Sequence, residues 1–218
     1  KSMLQPLWAW KMAVRTMGHP LKVVRMLASL LKELFTHPFE QYSPFLPKSP
    51  WWGCSDASAS KTGEAYVGGW CSTSPNPTKD QVLWFHYAIT ADAHPWAFKD
   101  GNPQKRIAAL ELLGTLLLCK HLVAQQGQMP GRVRLPVGSD NSGNIFSLLN
   151  LSAKKPYSAA LLMELVLFLH CEGCSIAPNH VPREYNTWAD ELTHPDFEGF
   201  SRDCRLPAPE TLFVFPFA

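Results

Sequence analysis

Four carboxylates in this 218-residue sequence stand where a carboxylate is out of place. Asp56 closes the apolar run Trp51-Trp52-Gly53-Cys54, and Glu111 interrupts the apolar helical pattern RIAALELLGTLLL. Asp140 follows the short run Leu135-Pro-Val-Gly-Ser, and Asp190 ends the stretch HVPREYNTWAD that begins at His180. An acid in apolar surroundings is costly unless it is paired or binds a cation. Four such acids, with no basic partner beside them in sequence, suit hard divalent cations held through oxygen. Each also has a plainer reading when taken singly. Asp190 could be a first-turn acid facing a helix dipole, Asp140 the cap of the helix after it, and Glu111 a solvated helix charge.

The elements that must carry these acids follow from pattern and punctuation. Trp51 to Trp70 reads as a hairpin whose first strand ends on Asp56; Ala57 to Ser60, Lys61, Thr62 and Gly63 make the turn, and Tyr66 to Trp70 resumes the strand signal. A third strand is expected over 81–90 after the turn-rich STSPNPTKD, then a loop over 91–103 and a long helix over 104–126 buried through Ile107, Leu110, Leu113 and Leu117. Gly114 within it permits close approach of another backbone. A strand over 132–138 puts Asp140 beyond its C-terminal end, where sites collect in open sheets. Helices over 142–151, 156–171 and 185–192 and a short strand over 175–178 complete a mixed-sheet α/β pattern.

Both flanks differ from this body. Residues 1–48 carry a net charge of +5 against −3 for the rest, and read as two helices, 4–17 and 20–36, split at Gly18-His19-Pro20. Four prolines between His37 and Pro50 mark a linker. Residues 196–218, with Phe213, Phe215 and Phe217, look like an extended tail that docks through its aromatic side chains.

At 46% hydrophobic residues the chain can build a sizeable core. It has no run of eighteen apolar residues, so no membrane span is expected. Six cysteines lie scattered through predicted elements, which fits a reducing intracellular compartment, nucleus or cytoplasm. Cys171-Glu-Gly-Cys174, flanked by His170 and His180, lacks the second pair that a closed zinc site requires.

The motifs DASAS at Asp56, WAF followed by IAALELLG at Glu111, SDNSGN at Asp140 and VPREYNTWADELT at Asp190 resemble the ribonuclease H domain of retroelement reverse transcriptases. They are most similar to those of DIRS-like, tyrosine-recombinase retrotransposons. The likeness covers roughly 50–195, and the spacing from His180 to Asn186 to Asp190 is that of the family. It implies a ribonuclease H-like α/β fold: a five-stranded mixed sheet flanked by helices, with an N-terminal helical arm over 1–48, the domain over 49–195 and the tail over 196–218. It implies hydrolysis of the RNA strand of an RNA/DNA hybrid with two Mg²⁺ ions, Mn²⁺ substituting. Asp56, Glu111, Asp140 and Asp190 would be metal ligands and catalytic residues. His180 would shuttle a proton or ease product release, or else cap nearby backbone. Asn141, Asn144, Asn186, Lys154 and Lys155 would bind substrate. An attached polymerase domain would be a partner and no membrane would be involved; a chain that starts at Lys1 would be an excised piece, a processed piece or a fragment of a polyprotein. One departure stands out: only Ser152-Ala-Lys-Lys155 separates two helices where some members insert a basic helix. A second reading is a captured domain serving as a structural or nucleic-acid-binding subunit. An integrase or resolvase-type nuclease is disfavoured by the histidine-containing last loop and the fourth acid.

Overall fold

The structure, a computed structural model, describes residues 46–127, 132–195 and 197–207, together with Ala28, Leu31, Lys32 and Thr36, which are helical. The expected helix over 4–17, most of that over 20–36, and Phe213, Phe215 and Phe217 lie outside the described residues.

Five strands form one mixed sheet in the order β3-β2-β1-β4-β5. β1 (Trp52–Ala59), β2 (Ala65–Ser72) and β3 (Leu83–Ala88) make an antiparallel meander, whereas β4 (Val133–Ser139) and β5 (Cys174–His180) run parallel to β1 on its other side. The parallel pairs are joined through helices, as a parallel crossover demands. These are α1 (Ile107–Gln126), α2 (Ser142–Asn150) and α3 (Pro156–Cys171), with α4 (Thr187–Glu191) following β5. The strand order and the direction of each pair define a ribonuclease H-like fold.

β1 corrects the expected hairpin. The strand does not end on Asp56 but runs on to Ala59, and Asp56 pairs with Gly68 in mid-ladder. The small size of Ala57, Ser58 and Ala59 suits a turn. They continue the strand instead, pairing with Val67, Tyr66 and Ala65. Only Ser60 to Glu64 turns, closed by Ser60 N–H donating to the Glu64 carbonyl at 2.8 Å. β5 is likewise longer than the expected 175–178 and takes in His180. Pro136 stands between the short bridge of Lys48 to Arg134 and the β1 ladder at Val137, where its missing N–H interrupts pairing along this side of β4.

Alternation along the strands feeds two cores. Ala57, Val67, Phe85 and Leu135 face α1 and α3, and Cys54, Trp70 and Trp84 face α4. α1 is buried beyond the expected stripe, Leu112, Leu116 and Leu118 included, because α3 packs on the side that the sheet leaves uncovered. It is long and apolar enough to cross a membrane, yet it is the central helix of this core. Gly114 does the work expected of it: a Cβ there would lie 3.0 Å from Val67 and 3.4 Å from the Asp56 carbonyl, so its absence lets α1 settle onto β1 beside the acid.

Residues 197–207, from the stretch expected to be a tail, cover the second core. Phe197 and Phe200 pack on Trp84 with ring centroids 4.9 and 5.9 Å away. Trp84 Nε1 donates to the Ser201 carbonyl at 2.7 Å, and Leu206 N–H to the Trp84 carbonyl at 2.7 Å.

Candidate active site

Strand pairing brings two of the acids near each other. Cys54 pairs with Gly138 across the parallel β1 and β4, and Asp56 and Asp140 each follow two residues beyond this last pair on neighbouring stretches of the chain. Asp140 lies just past the C-terminal end of β4, as its position in sequence predicted. Ser55 and Gly114 approach each other on the α1 face of β1, so the alternating Asp56 side chain is directed to the α4 face. There α4 supplies Asp190, its fourth residue, and α1 brings Glu111 from the other side.

The charges of the four act on one another. Asp56 is 8% exposed, and burial first, then the charge of Asp140 and to a lesser degree Asp190, pushes its carboxyl up to about 7. The Ala57 N–H, donating to Oδ1 at 2.7 Å, and the Arg183 guanidinium pull the other way without cancelling the rise. Glu111 is raised to about 7 by burial, with Asp56 and Asp140 adding to it and a hydrogen bond from Asn141 opposing it. Even the Cys54 thiol, pushed up to about 12 chiefly by burial, feels Asp140. Asp56 thus senses both Asp140 and Asp190, while Glu111 senses Asp56 and Asp140.

Among the described residues no Lys or Arg forms an ion pair with any of the four. Nor do three His, Cys, Asp or Glu side chains there close into a ready ligand set. The acids form a coupled group rather than a closed cage. Their chemistry nonetheless fits a divalent cation: every donor is a hard carboxylate oxygen, and two carry a desolvation and repulsion cost that a cation would relieve.

The plainer readings of the acids fare unevenly. Glu111 is not a solvated helix charge, since its Oε2 accepts from both Asn141 Nδ2 and Asn144 Nδ2, the latter at 2.9 Å. Asp140 is not the cap of α2; Asn141 is, its Oδ1 accepting from Asn144 N–H at 3.0 Å. His180 is the last residue of β5 rather than a loop residue, and its Nε2 lies 3.1 Å from the Asp140 carbonyl. A carbonyl only accepts, so Nε2 carries the proton and Nδ1 is the acceptor of the neutral ring.

The residues expected to bind substrate divide. Lys154 and Lys155 are exposed between α2 and α3. Asn141 is half-buried at the rim, partly spent on capping. Asn144 does not face outward: it is 4% exposed and spends its amide on Ala108 and Glu111. Asn186 is 1% exposed, with neither amide atom hydrogen-bonded, in the tight joint before α4. An amide so enclosed cannot touch a nucleic acid across the protein surface. The family likeness puts both at the substrate, but each falls on the packed side of a short helical turn.

The structure also assembles a basic cavity that brings Lys155, one of the residues expected to bind substrate, together with other cations. About 380 Å³ in volume, it is lined by Lys99, Lys105, Arg106 and Lys155 with Asp100 and Tyr157. It lies where the N-terminal ends of α1 and α3 meet; Arg106 pairs with Asp100 and lies over the Tyr157 ring. Glu111 is five residues on from Arg106, a rise of about 7.5 Å along α1. Lys99 and the run Lys105-Arg106 are far from Lys155 in sequence, so only the fold brings them beside it.

No protein-family profile matches the chain, and no curated protein matches it. Among solved structures it is similar to the N-terminal RNase H domain of a Mycobacterium tuberculosis protein, with 19% identity, 65% of this chain and 88% of that one covered, and a TM-score of 0.45. It is also similar to RNase H1 of the halophilic archaeon Halobacterium salinarum, at 16% identity, 65% and 92% coverage and a TM-score of 0.42. A third is LC11-RNase H1 in complex with an RNA/DNA hybrid, at 15% identity, 65% and 92% coverage and a TM-score of 0.39.

Proposed function

We propose that the chain is a metal-dependent endonuclease that hydrolyses the RNA strand of RNA/DNA hybrids as the ribonuclease H domain of a retroelement reverse transcriptase. The observation that carries this is the coupling of the acids: Asp56 lies within reach of the charges of both Asp140 and Asp190, and Glu111 within reach of Asp56 and Asp140. In that order Asp56 would be a ligand common to the bound ions, with Glu111 and Asp140 on one side of it and Asp190 on the other. Mg²⁺, or Mn²⁺ in its place, would supply positive charge against the phosphate and an acidified water. The protein's own part is to hold Asp56, Glu111 and Asp190 on a strand and two helices and Asp140 just past the end of β4, which fixes the three better than a loop would.

His180 keeps its protonated nitrogen on the Asp140 carbonyl and offers Nδ1 as a proton acceptor at the rim. The basic cavity holds phosphates of the nucleic acid one helical turn and more from Glu111, a grip that compensates for the absent inserted helix. Membership of a DIRS-like polyprotein, with an attached polymerase domain and residues 1–48 as its connector, rests on the wording of the motifs in SDNSGN and VPREYNTWADELT.

The test is cleavage of a labelled RNA/DNA hybrid by the full chain with Mg²⁺ or Mn²⁺, beside double-stranded DNA and RNA controls. Cutting confined to the RNA of the hybrid, and lost in EDTA, is the expected result. A chain that binds hybrid but cuts nothing with either ion would leave only a nucleic-acid-binding subunit.

A further inference from the structure

Glu111 reaches the site from a helix on the far side of the sheet from Asp190, on a long side chain with several rotamers. Two amides decide where it points. Asn144 Nδ2 donates to the Ala108 carbonyl at 3.0 Å, and because a carbonyl can only accept, this contact fixes which end of the amide is nitrogen. The second Nδ2 proton then goes to Glu111 Oε2 at 2.9 Å. Asn141 is fixed in the same way: its Oδ1 takes the Asn144 backbone N–H at 3.0 Å, so its Nδ2 is the end that meets Glu111 Oε2. Neither amide can flip without losing a backbone partner. Asn144 is 4% exposed, so water does not replace it.

We propose that Asn144, seconded by Asn141, is a positioning residue that clamps Glu111 by Oε2 and leaves Oε1 as the oxygen that turns toward a cation. The inference rests on the metal-dependent reading above and adds to it a residue that touches neither substrate nor ion. It also explains why a polar side chain occupies the buried face of α2 between Ile145 and the helix cap. An apolar residue would fill the space, but it would leave one carboxylate oxygen of Glu111 with a single donor and the side chain free to swing.

The experiment uses Asn144→Val in the full chain, with folding checked by circular dichroism and Mn²⁺ alone as the probe in titration calorimetry without nucleic acid. Losing one hydrogen bond to a charged group should weaken Mn²⁺ binding about tenfold. Binding of RNA/DNA hybrid in EDTA should stay within about twofold of the original chain, because the clamp acts on the ion and not on the hybrid. If Asn144→Val does not fold, Asn144→Ser, whose hydroxyl is too short to reach Glu111, makes the same test. Unchanged Mn²⁺ affinity in a folded variant overturns the clamp alone. An equal loss of metal-free hybrid binding also overturns it, by showing that Asn144 merely supports the fold. If the unaltered chain binds no Mn²⁺, the metal-dependent reading falls and the clamp with it.

Discussion

Changing Asp56 to Asn should make the metal-free protein more stable at alkaline pH and abolish the hybrid cleavage proposed above. Burial and the charges of Asp140 and Asp190 raise the Asp56 carboxyl from 3.8 to about 7. The folded chain therefore holds a proton that the unfolded chain has released over that interval, so stability falls as pH rises from near 4 through about 7 and is level above. At ~1.4 kcal/mol per pKa unit, the full cost of ionising Asp56 in place is about 4 kcal/mol above pH 7. An asparagine amide carries no charge but has its own burial cost of about 1–2 kcal/mol where its partners are incomplete. The expected net gain is about 2 kcal/mol at pH 8.5. At pH 5 only about a third of the ionisation cost has accrued, and the gain shrinks to roughly zero. Urea unfolding in EDTA at the two pH values measures both. Repeating it with Mg²⁺ should stabilise the original chain and not the variant, because only the former keeps the carboxylate proposed to bind the cation. An Asp56→Asn protein that is less stable at pH 8.5, or whose change in stability is the same at both pH values, would refute the desolvated, mutually repelling site.

Reversing charge in the basic cavity, Lys105→Glu or Lys155→Glu, should weaken hybrid binding and reduce the slope of its salt dependence by about one unit each, read from binding isotherms between 50 and 200 mM salt. Gly68→Ala should destabilise by about 1–3 kcal/mol or more, because a Cβ there would lie 2.4 Å from the Leu192 backbone and would push α4 with Asp190 off β1; denaturant unfolding and hybrid cleavage should both suffer. Phe200→Ala should cost about 3–5 kcal/mol by emptying the space beside Trp84, measured by the same unfolding assay.

The order of strands and helices was legible because each stretch carries its own period and its own breakers. The bounds of α3 coincide with the apolar run that follows Lys155, since Pro156 can start a helix and Gly173 can end one. Legibility failed where small or polar residues have two good environments. Ala57 to Ala59 suit a turn or a strand, and the partner strand chose the latter. Asn144 and Asn186 suit a wet surface or a buried network, and the packing of α2 against α1 and of α4 against β1 chose the inside.

By itself, the sequence determined which acids are anomalous, which element carries each, and that Asp140 lies past a strand's end, because these follow from local hydrophobic pattern and turn chemistry. Tertiary structure decided the rest. The approach of Asp140 to Asp56 depends on the pairing of β1 with β4, strands that lie far apart in the chain. The raised carboxyls of Asp56 and Glu111 depend on burial and on charges carried by other elements. The basic cavity exists only because the starts of α1 and α3 meet. Pairing, burial and through-space charge act between residues that are distant in sequence, so no local pattern can encode their outcome.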